Sequence, residues 1–189
     1  MSSEENRKEK IYEFLKKKQE YFQYILLAVI LWFGYKVRTA NLPLLVDKIT
    51  GKYIMADPDA TAFLRYAQYV AEHGSLMMED TLRYYPLGYT PVPEFSLLAQ
   101  IIAKLYAILH TFNSNITLEY TAVIYPAIAF VIGAIFFYLA IREILGTKTA
   151  IIATTLLTIL PAYLFRTQSG VSDKEALGMV FFFMCCYFM

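Results

Sequence analysis

Two acidic clusters border the apolar stretches of this sequence: Ala56-Asp57-Pro58-Asp59-Ala60, and the segment Arg166 to Glu175, which closes with Ser172-Asp173-Lys174-Glu175. Carboxylates beside lipid are costly, so their presence points to a site at a membrane surface. Acidic oxygens suit a hard divalent cation, and two clusters facing one compartment can share one ion. Each cluster also has a purely structural reading. Asp57 reads as a helix cap, Pro58 as the first helical residue and Gly74, after His73, as the stop. Asp57 fits capping well, while Asp59 is less needed for it and stands nearest a free ligand position. Ser172 to Glu175 matches a capping box, with Ser172 as cap and Glu175 folding back. In an extended loop, by contrast, Asp173 and Glu175 point the same way, as ligands of one cation must. Arg166, seven residues upstream of Asp173, and Gly170 between them give the second cluster its weight. Asp57 and His73 are further candidates, whereas a helix stop explains His73, and a solvated loop Glu79 and Asp80, more simply.

The elements that must hold these residues are apolar helices. The chain of 189 residues is 58% hydrophobic, 16% aromatic and only 17% charged, with a mean hydropathy of +0.44. That composition predicts an integral membrane protein. The formal net charge of +1 says nothing about nucleic acid, and no basic aromatic platform appears, so no nucleic-acid partner is expected. Cys185 and Cys186 lie side by side in an apolar run and read as membrane-facing thiols rather than a disulfide or zinc site.

Residues 1–20 form a charged segment in which Arg7, Lys8, Lys10, Lys16, Lys17 and Lys18 face five glutamates. No small-residue cleavage site follows the first apolar run, where Trp32-Phe33-Gly34-Tyr35-Lys36 stands instead. The run is therefore a retained span, 21–38, with Lys36 and Arg38 snorkelling outward and the N-terminus held in the cytoplasm. A large first external loop, 39–119, carries amphipathic helices at 59–73 and 94–112. Span two is 120–141, a cytoplasmic loop 142–148, span three 149–165, a second external loop 166–175, and a fourth span starts at 176. That last run stops after fourteen residues without a closing flank, so the sequence reads as the N-terminal part of a longer protein.

The segment 94–112 decides the topology. Ser96, Gln100, Lys104 and Thr111 form a polar stripe opposite Phe95, Leu98, Ile101, Ile102, Leu105, Ile108, Leu109 and Phe112, the pattern of a helix lying in the interface. In that arrangement Arg142 and Lys148 are cytoplasmic, as the positive-inside rule asks, and both acidic clusters face outward. The Asn115-Ile116-Thr117 glycosylation sequon then also lies outside. If the segment instead spans, with Lys104 directed into a bundle, the clusters fall on opposite sides.

At these residues the chain resembles the catalytic subunit of oligosaccharyltransferase, of the archaeal single-subunit or the eukaryotic kind. The resemblance runs in register: an acidic motif after span one, a helix like Asp59 to Arg65, and Tyr84-Tyr85-Pro86-Leu87-Gly88 matching a Trp-Tyr-Pro-Leu-Gly-like segment. An amphipathic helix, two spans, and an Arg-Thr segment ending in acid-x-acid, Arg166 to Glu175, follow in order. The family's remaining spans, its later external loop with a glutamate, and its C-terminal domain with Trp-Trp-Asp-Tyr-Gly lie beyond this sequence, so these residues alone are expected to be inactive.

What the resemblance implies is an all-α, polytopic helical membrane protein, the N-terminal part of a GT-C type transmembrane domain. The implied reaction moves an oligosaccharide from a dolichyl phosphate or pyrophosphate donor to Asn in Asn-X-Ser or Asn-X-Thr of an acceptor polypeptide, inverting the anomeric centre. Asp59, Asp173 and Glu175 would hold Mg²⁺ or Mn²⁺, Asp59 would accept a hydrogen bond from the acceptor amide, and Arg166 would orient acceptor or carboxylates; no organic cofactor is implied. The implied setting is an archaeal plasma membrane first and an endoplasmic reticulum membrane second, with the site on the external or lumenal face. Two other readings stay open: a polyprenyl-phosphate-sugar glycosyltransferase with a hydroxyl acceptor, and a transporter or scaffold whose acids cap helices. The transporter predicts carboxylates buried between spans, and spans two and three contain none.

Overall fold

The computed structural model describes residues 3–91 and 93–189, with side chains described for 21–91 and 96–189. The side chains of the charged segment 1–20, and of Glu94 and Phe95, lie outside the described residues. Among the described residues seven α-helices follow in order: α1 Ser3–Thr39, α2 Pro58–His73, α3 Pro93–Phe112, α4 Leu118–Leu145, α5 Thr147–Ile159, α6 Pro161–Thr167 and α7 Lys174–Phe188. Among the described residues there is no β-strand, only two isolated antiparallel bridges, Val46 with Tyr53 and Asp80 with Tyr89. The fold is all-α.

Local chemistry explains where the helices begin and stop. Asp57 is extended, and its carboxylate accepts a hydrogen bond from Asp59 N at 2.8 Å while Pro58 opens α2. Gly74, at φ 80°, closes α2 by donating to Val70 O. Thr117 caps α4 by accepting from Tyr120 N at 3.2 Å. The apolar run 149–165 is not one straight helix. Leu160 is extended ahead of Pro161, and α5 and α6 meet at 64°. The Ser172 capping box does not form: Asp173 caps α7 by accepting from Lys174 N, and the Ser172 hydroxyl instead donates to Ala122 O on α4.

α4 is the axis of the bundle. Its first half packs with α2, α3 and α7 around Phe63, Tyr66, Leu98, Ile102, Ala122 and Val180. Farther along, Phe130 and Ala134 meet Tyr163 of α6 and Phe183 of α7. Near its end Tyr138 meets Leu27 of α1 and Ala150 of α5. α1 therefore runs antiparallel to α4. Tyr138 donates to Gln23 Oε1 near one end, and a Cβ on Gly34 would lie 2.5 Å from the Phe130 ring nearer the other, so only glycine permits this crossing. Among the described residues two helical stretches, Tyr21–Leu45 and Leu118–Leu145, are long and apolar enough to cross a membrane by length and composition, and the bent α5–α6 pair makes a third if it counts as one span. α3 turns Leu98, Ala99, Ile102 and Ala103 into the shared core, leaving Leu97, Lys104, Ile108 and Phe112 exposed.

Arg38 does not snorkel outward as its position near the end of a span predicts. It is fully buried, its Nε donating to Thr167 Oγ1 at 2.7 Å and its Nη1 to Thr158 O at 3.0 Å and Gly34 O at 3.3 Å. The guanidinium also lies 3.4 Å from the Phe130 ring centroid. The break between α5 and α6 leaves the carbonyls that end α5 without helical partners, and Arg38 answers one of them. Lys36, with no such partner, stays exposed.

Candidate active site

The loop between α6 and α7 is tied down from three sides. Ser169 N donates to Arg38 O, Asn41 Nδ2 to Ser169 O, and Gly170 N to Val123 O, at 3.0, 2.8 and 2.9 Å. Ala56 N then donates to Gly170 O at 3.0 Å, which joins the first acidic cluster to the second. Gly170 has φ 91°, and a Cβ there would stand 2.8 Å from Leu45 Cδ1 and 3.2 Å from Ala56 Cβ. The contact requires glycine on both grounds, backbone angle and close approach.

This junction brings the start of α2 against the start of α7. Asp59 and Asp173 line one cavity of about 140 Å³, together with Phe63, Tyr66, Arg83 and Lys174. The Asp59 carboxylate has no hydrogen-bond or ion-pair partner among the described residues. Glu175 is held elsewhere, with its Oε2 2.8 Å from Arg166 Nη1. Asp57 is engaged as the α2 cap. His73 lies at the far end of α2, about 20 Å along the helix from Asp59, stacked on Tyr69 at 4.0 Å. A larger cleft, about 510 Å³, lies between residues 51–53 and 113–120 and contains none of these candidates.

Hard oxygen donors are the right kind for Mg²⁺ or Mn²⁺. Among the described residues, however, no group of three or more His, Cys, Asp or Glu side chains stands close enough to hold a metal ion. Asp59 and Asp173 meet in one cavity; the third predicted ligand, Glu175, is paired with Arg166.

Asp80 is not the solvated loop residue its sequence context suggests. Its carboxylate is buried in a fork with Arg65, Nη1 to Oδ1 at 2.7 Å and Nη2 to Oδ2, and accepts from the Tyr66 hydroxyl at 3.1 Å and from Leu82 N at 3.1 Å. The Arg65 hydrogen bonds pull its pKa down to about 2. Backbone bonds between Asp80 and Tyr89, 2.7 and 3.0 Å, close the loop that carries Tyr84 to Gly88. Glu79 beside it is exposed. The available signal was Arg65, a basic residue on the polar margin of an amphipathic helix with a loop acid nearby.

Caps, bundle and cavity together define a polytopic helical membrane protein with a cavity lined by Asp59 and Asp173 at one end of its bundle. The chain belongs to the oligosaccharyl transferase STT3 N-terminal family, a family of glycosyltransferases, whose model matches residues 22–189. Among solved structures it is similar to the Archaeoglobus fulgidus oligosaccharyltransferase in its apo form, with 21% identity, a TM-score of 0.72, and coverage of 87% of this chain and 19% of that one. The same enzyme in complex with Zn and sulfate gives 21%, 0.69, 84% and 20%. The archaeal oligosaccharyltransferase AglB from Archaeoglobus fulgidus, in complex with an inhibitory peptide and a dolichol-phosphate, gives 20%, 0.70, 88% and 19%. The chain thus spans about a fifth of the length of the solved structures it matches. No curated protein matches it.

Proposed function

We propose that this chain forms part of a site that transfers an oligosaccharide from a lipid-linked phosphate or pyrophosphate to the side-chain amide of Asn in Asn-X-Ser or Asn-X-Thr, with inversion at the anomeric carbon. The observation that carries the reading is the meeting of Asp59 and Asp173, from segments far apart in sequence, in one cavity at the end of the bundle. Family membership supports it. So do the Archaeoglobus fulgidus complexes, one with dolichol-phosphate and an inhibitory peptide and one tethered to an acceptor peptide containing an NVT sequon, from which a lipid-linked donor and a sequon peptide follow as partners here.

An amide nitrogen is a poor nucleophile because its lone pair is delocalised into the carbonyl. Asp59, with its carboxylate unengaged, is the residue that accepts a hydrogen bond from the acceptor N–H, twisting the amide out of conjugation and receiving the proton as the new bond forms. Asp173 lines the same cavity and brings a second carboxylate to it. Glu175 would reach the same cavity only by leaving Arg166, which would then be free to orient the acceptor or the carboxylates. Asp59, Asp173 and Glu175 would hold Mg²⁺ or Mn²⁺, and a bound ion supplies positive charge opposite the departing phosphate. The relative's structure in complex with Zn is consistent with a divalent ion.

The proposed topology places 1–20 and 142–148 in the cytoplasm, spans at 21–38, 120–141, 149–165 and from 176, and the loops 39–119 and 166–175 outside, in an archaeal plasma membrane or an endoplasmic reticulum membrane. In the full-length protein, Asp59→Ala should cut transfer to a sequon peptide by about 100-fold or more, with insertion into membranes unchanged. Turnover near the wild-type rate would refute the assignment.

A further inference from the structure

Three arginines stand at or beside the carboxylate cavity, and the fold treats them differently. Arg65 is neutralised by Asp80 and Arg166 by Glu175. Arg83 lines the cavity with Asp59 and Asp173 and has no ion pair among the described residues. It is seated without losing its charge. Its Nη1 donates to the neutral Tyr66 hydroxyl at 3.0 Å, and its guanidinium lies 4.6 Å from the Tyr89 ring centroid. The Tyr66 hydroxyl, with one O–H to donate, directs it as a hydrogen bond to Asp80 Oδ2 and accepts from Arg83 through a lone pair. The buried Asp80–Tyr66 pair therefore holds Arg83, without a direct ion pair of its own, at the wall of the cavity that Asp59, Asp173 and Lys174 also line. The loop carrying Arg83 also exposes Leu82, Tyr84, Tyr85 and Leu87, at 77, 68, 85 and 86%. Such an apolar and aromatic tip belongs at a membrane interface, where a polyprenyl chain would lie.

We propose that Arg83 binds the phosphate of the lipid-linked donor and meets the charge that develops there, an inference that rests on the transfer reaction above. In that step the anomeric C1–O bond breaks and its electron pair stays on the phosphate oxygen. The C1–N bond to the acceptor forms, and the amide proton passes to a carboxylate. The negative charge gained by the phosphate is what the Arg83 guanidinium, a planar fork of donors, is shaped to receive. Leu82, Tyr84, Tyr85 and Leu87 grip the first isoprene units beside it.

The test uses the full-length protein in lipid nanodiscs, with dolichyl phosphate as the binding probe and lipid-linked oligosaccharide extracted from the source membranes as donor. Arg83→Gln should weaken dolichyl phosphate binding about 10-fold or more and raise the donor KM by a similar factor, leaving the KM for the sequon peptide unchanged. Arg83→Lys should recover part of the loss, as a point charge without the fork does. If Arg83→Gln folds poorly, Arg83→Lys and Tyr66→Phe, which unseats the guanidinium while keeping the ring, must show the same donor-selective change. A donor KM and dolichyl phosphate affinity equal to wild type in these variants overturns the proposal, as does a change confined to the peptide KM. A wild-type protein that transfers no sugar refutes the reaction itself, whereas one that transfers while Arg83→Gln behaves as wild type refutes only the role of Arg83.

Discussion

Gly170→Ala tests whether the union of the two acidic clusters rests on one residue. Gly170 sits at φ 91°, where a Cβ costs about 1–2 kcal/mol on backbone grounds alone. The added methyl would also meet Leu45 Cδ1 at 2.8 Å, Ala56 Cβ at 3.2 Å and Ala56 N at 3.3 Å. Relieving such overpacking costs a further 1–3 kcal/mol or so, giving about 2–5 kcal/mol together. Gly74→Ala supplies the control, because Gly74 has φ 80° but nothing within 4 Å of its would-be Cβ. That variant should lose only the backbone share. The extra loss in Gly170→Ala has a functional consequence, since the residue it pushes, Ala56, leads directly to Asp57 and Asp59. A displacement approaching 1 Å at a reacting group costs about 100-fold in rate. Denaturant or thermal unfolding in detergent, paired with transfer to a sequon peptide by the full-length protein, reads both quantities. Gly170→Ala no less stable than Gly74→Ala, with wild-type transfer, would refute the argument.

Asp80 gives a pH signature. Its carboxyl, ordinarily near 3.8, is held down to about 2 by the Arg65 fork, a difference worth roughly 2 kcal/mol. A depressed carboxylate stabilises the fold fully above the unfolded value, so this contribution holds above pH 4 and disappears as the pH falls through about 2. Unfolding measured from pH 5 to pH 2 should show that slope in the wild type and lose it in Asp80→Asn; an unchanged slope would rule out the ion pair as its source. The proposed topology is checked with single-cysteine variants on a Cys185→Ser, Cys186→Ser background: a membrane-impermeant maleimide should reach Asn115→Cys from outside and Lys148→Cys only after permeabilisation. The opposite pattern would invert the arrangement.

What could be read from the sequence follows the range of the forces involved. The ends of α2 are marked by Asp57-Pro58 and Gly74 because capping is settled within one helical turn. The break at Leu160-Pro161 was visible as a proline, but an apolar run registers length and not direction, so 149–165 reads as one straight segment. Lys36 and Arg38 carry the same charge two residues apart, yet one is exposed and the other buried. The deciding partner is a carbonyl at the end of α5, more than a hundred residues away in sequence, which no local pattern reveals. Glu79 and Asp80 differ for the same reason: Asp80 alone meets Arg65 across the loop. Motif order along the chain made Asp59 and Asp173 visible as candidates. Their shared cavity depends on Gly170 reaching Ala56 and Val123 at once, a tertiary fact.

On the function proposed above, the site's economy of charge makes Asp59 the residue on which the chemistry should turn. Asp57 is committed to the α2 cap, Asp80 to Arg65, Glu175 to Arg166, and one oxygen of Asp173 to Lys174 N. Each of these carboxylates has a structural task, and removing it leaves a donor or a cation unanswered, at a cost of about 1–3 kcal/mol where the partner is buried. Asp59 answers nothing with its side chain and stands exposed at the first turn of α2, where it contributes only a few tenths of a kcal/mol through the helix dipole. The Asp59→Ala protein that loses transfer should therefore unfold with the wild type, while Asp57→Ala loses about 1 kcal/mol of stability through its cap. An exposed carboxylate that answers no donor, in a cavity it shares with Asp173, Arg83 and Lys174, is one whose loss the fold tolerates, so Asp59→Ala separates transfer from stability where Asp57→Ala does not.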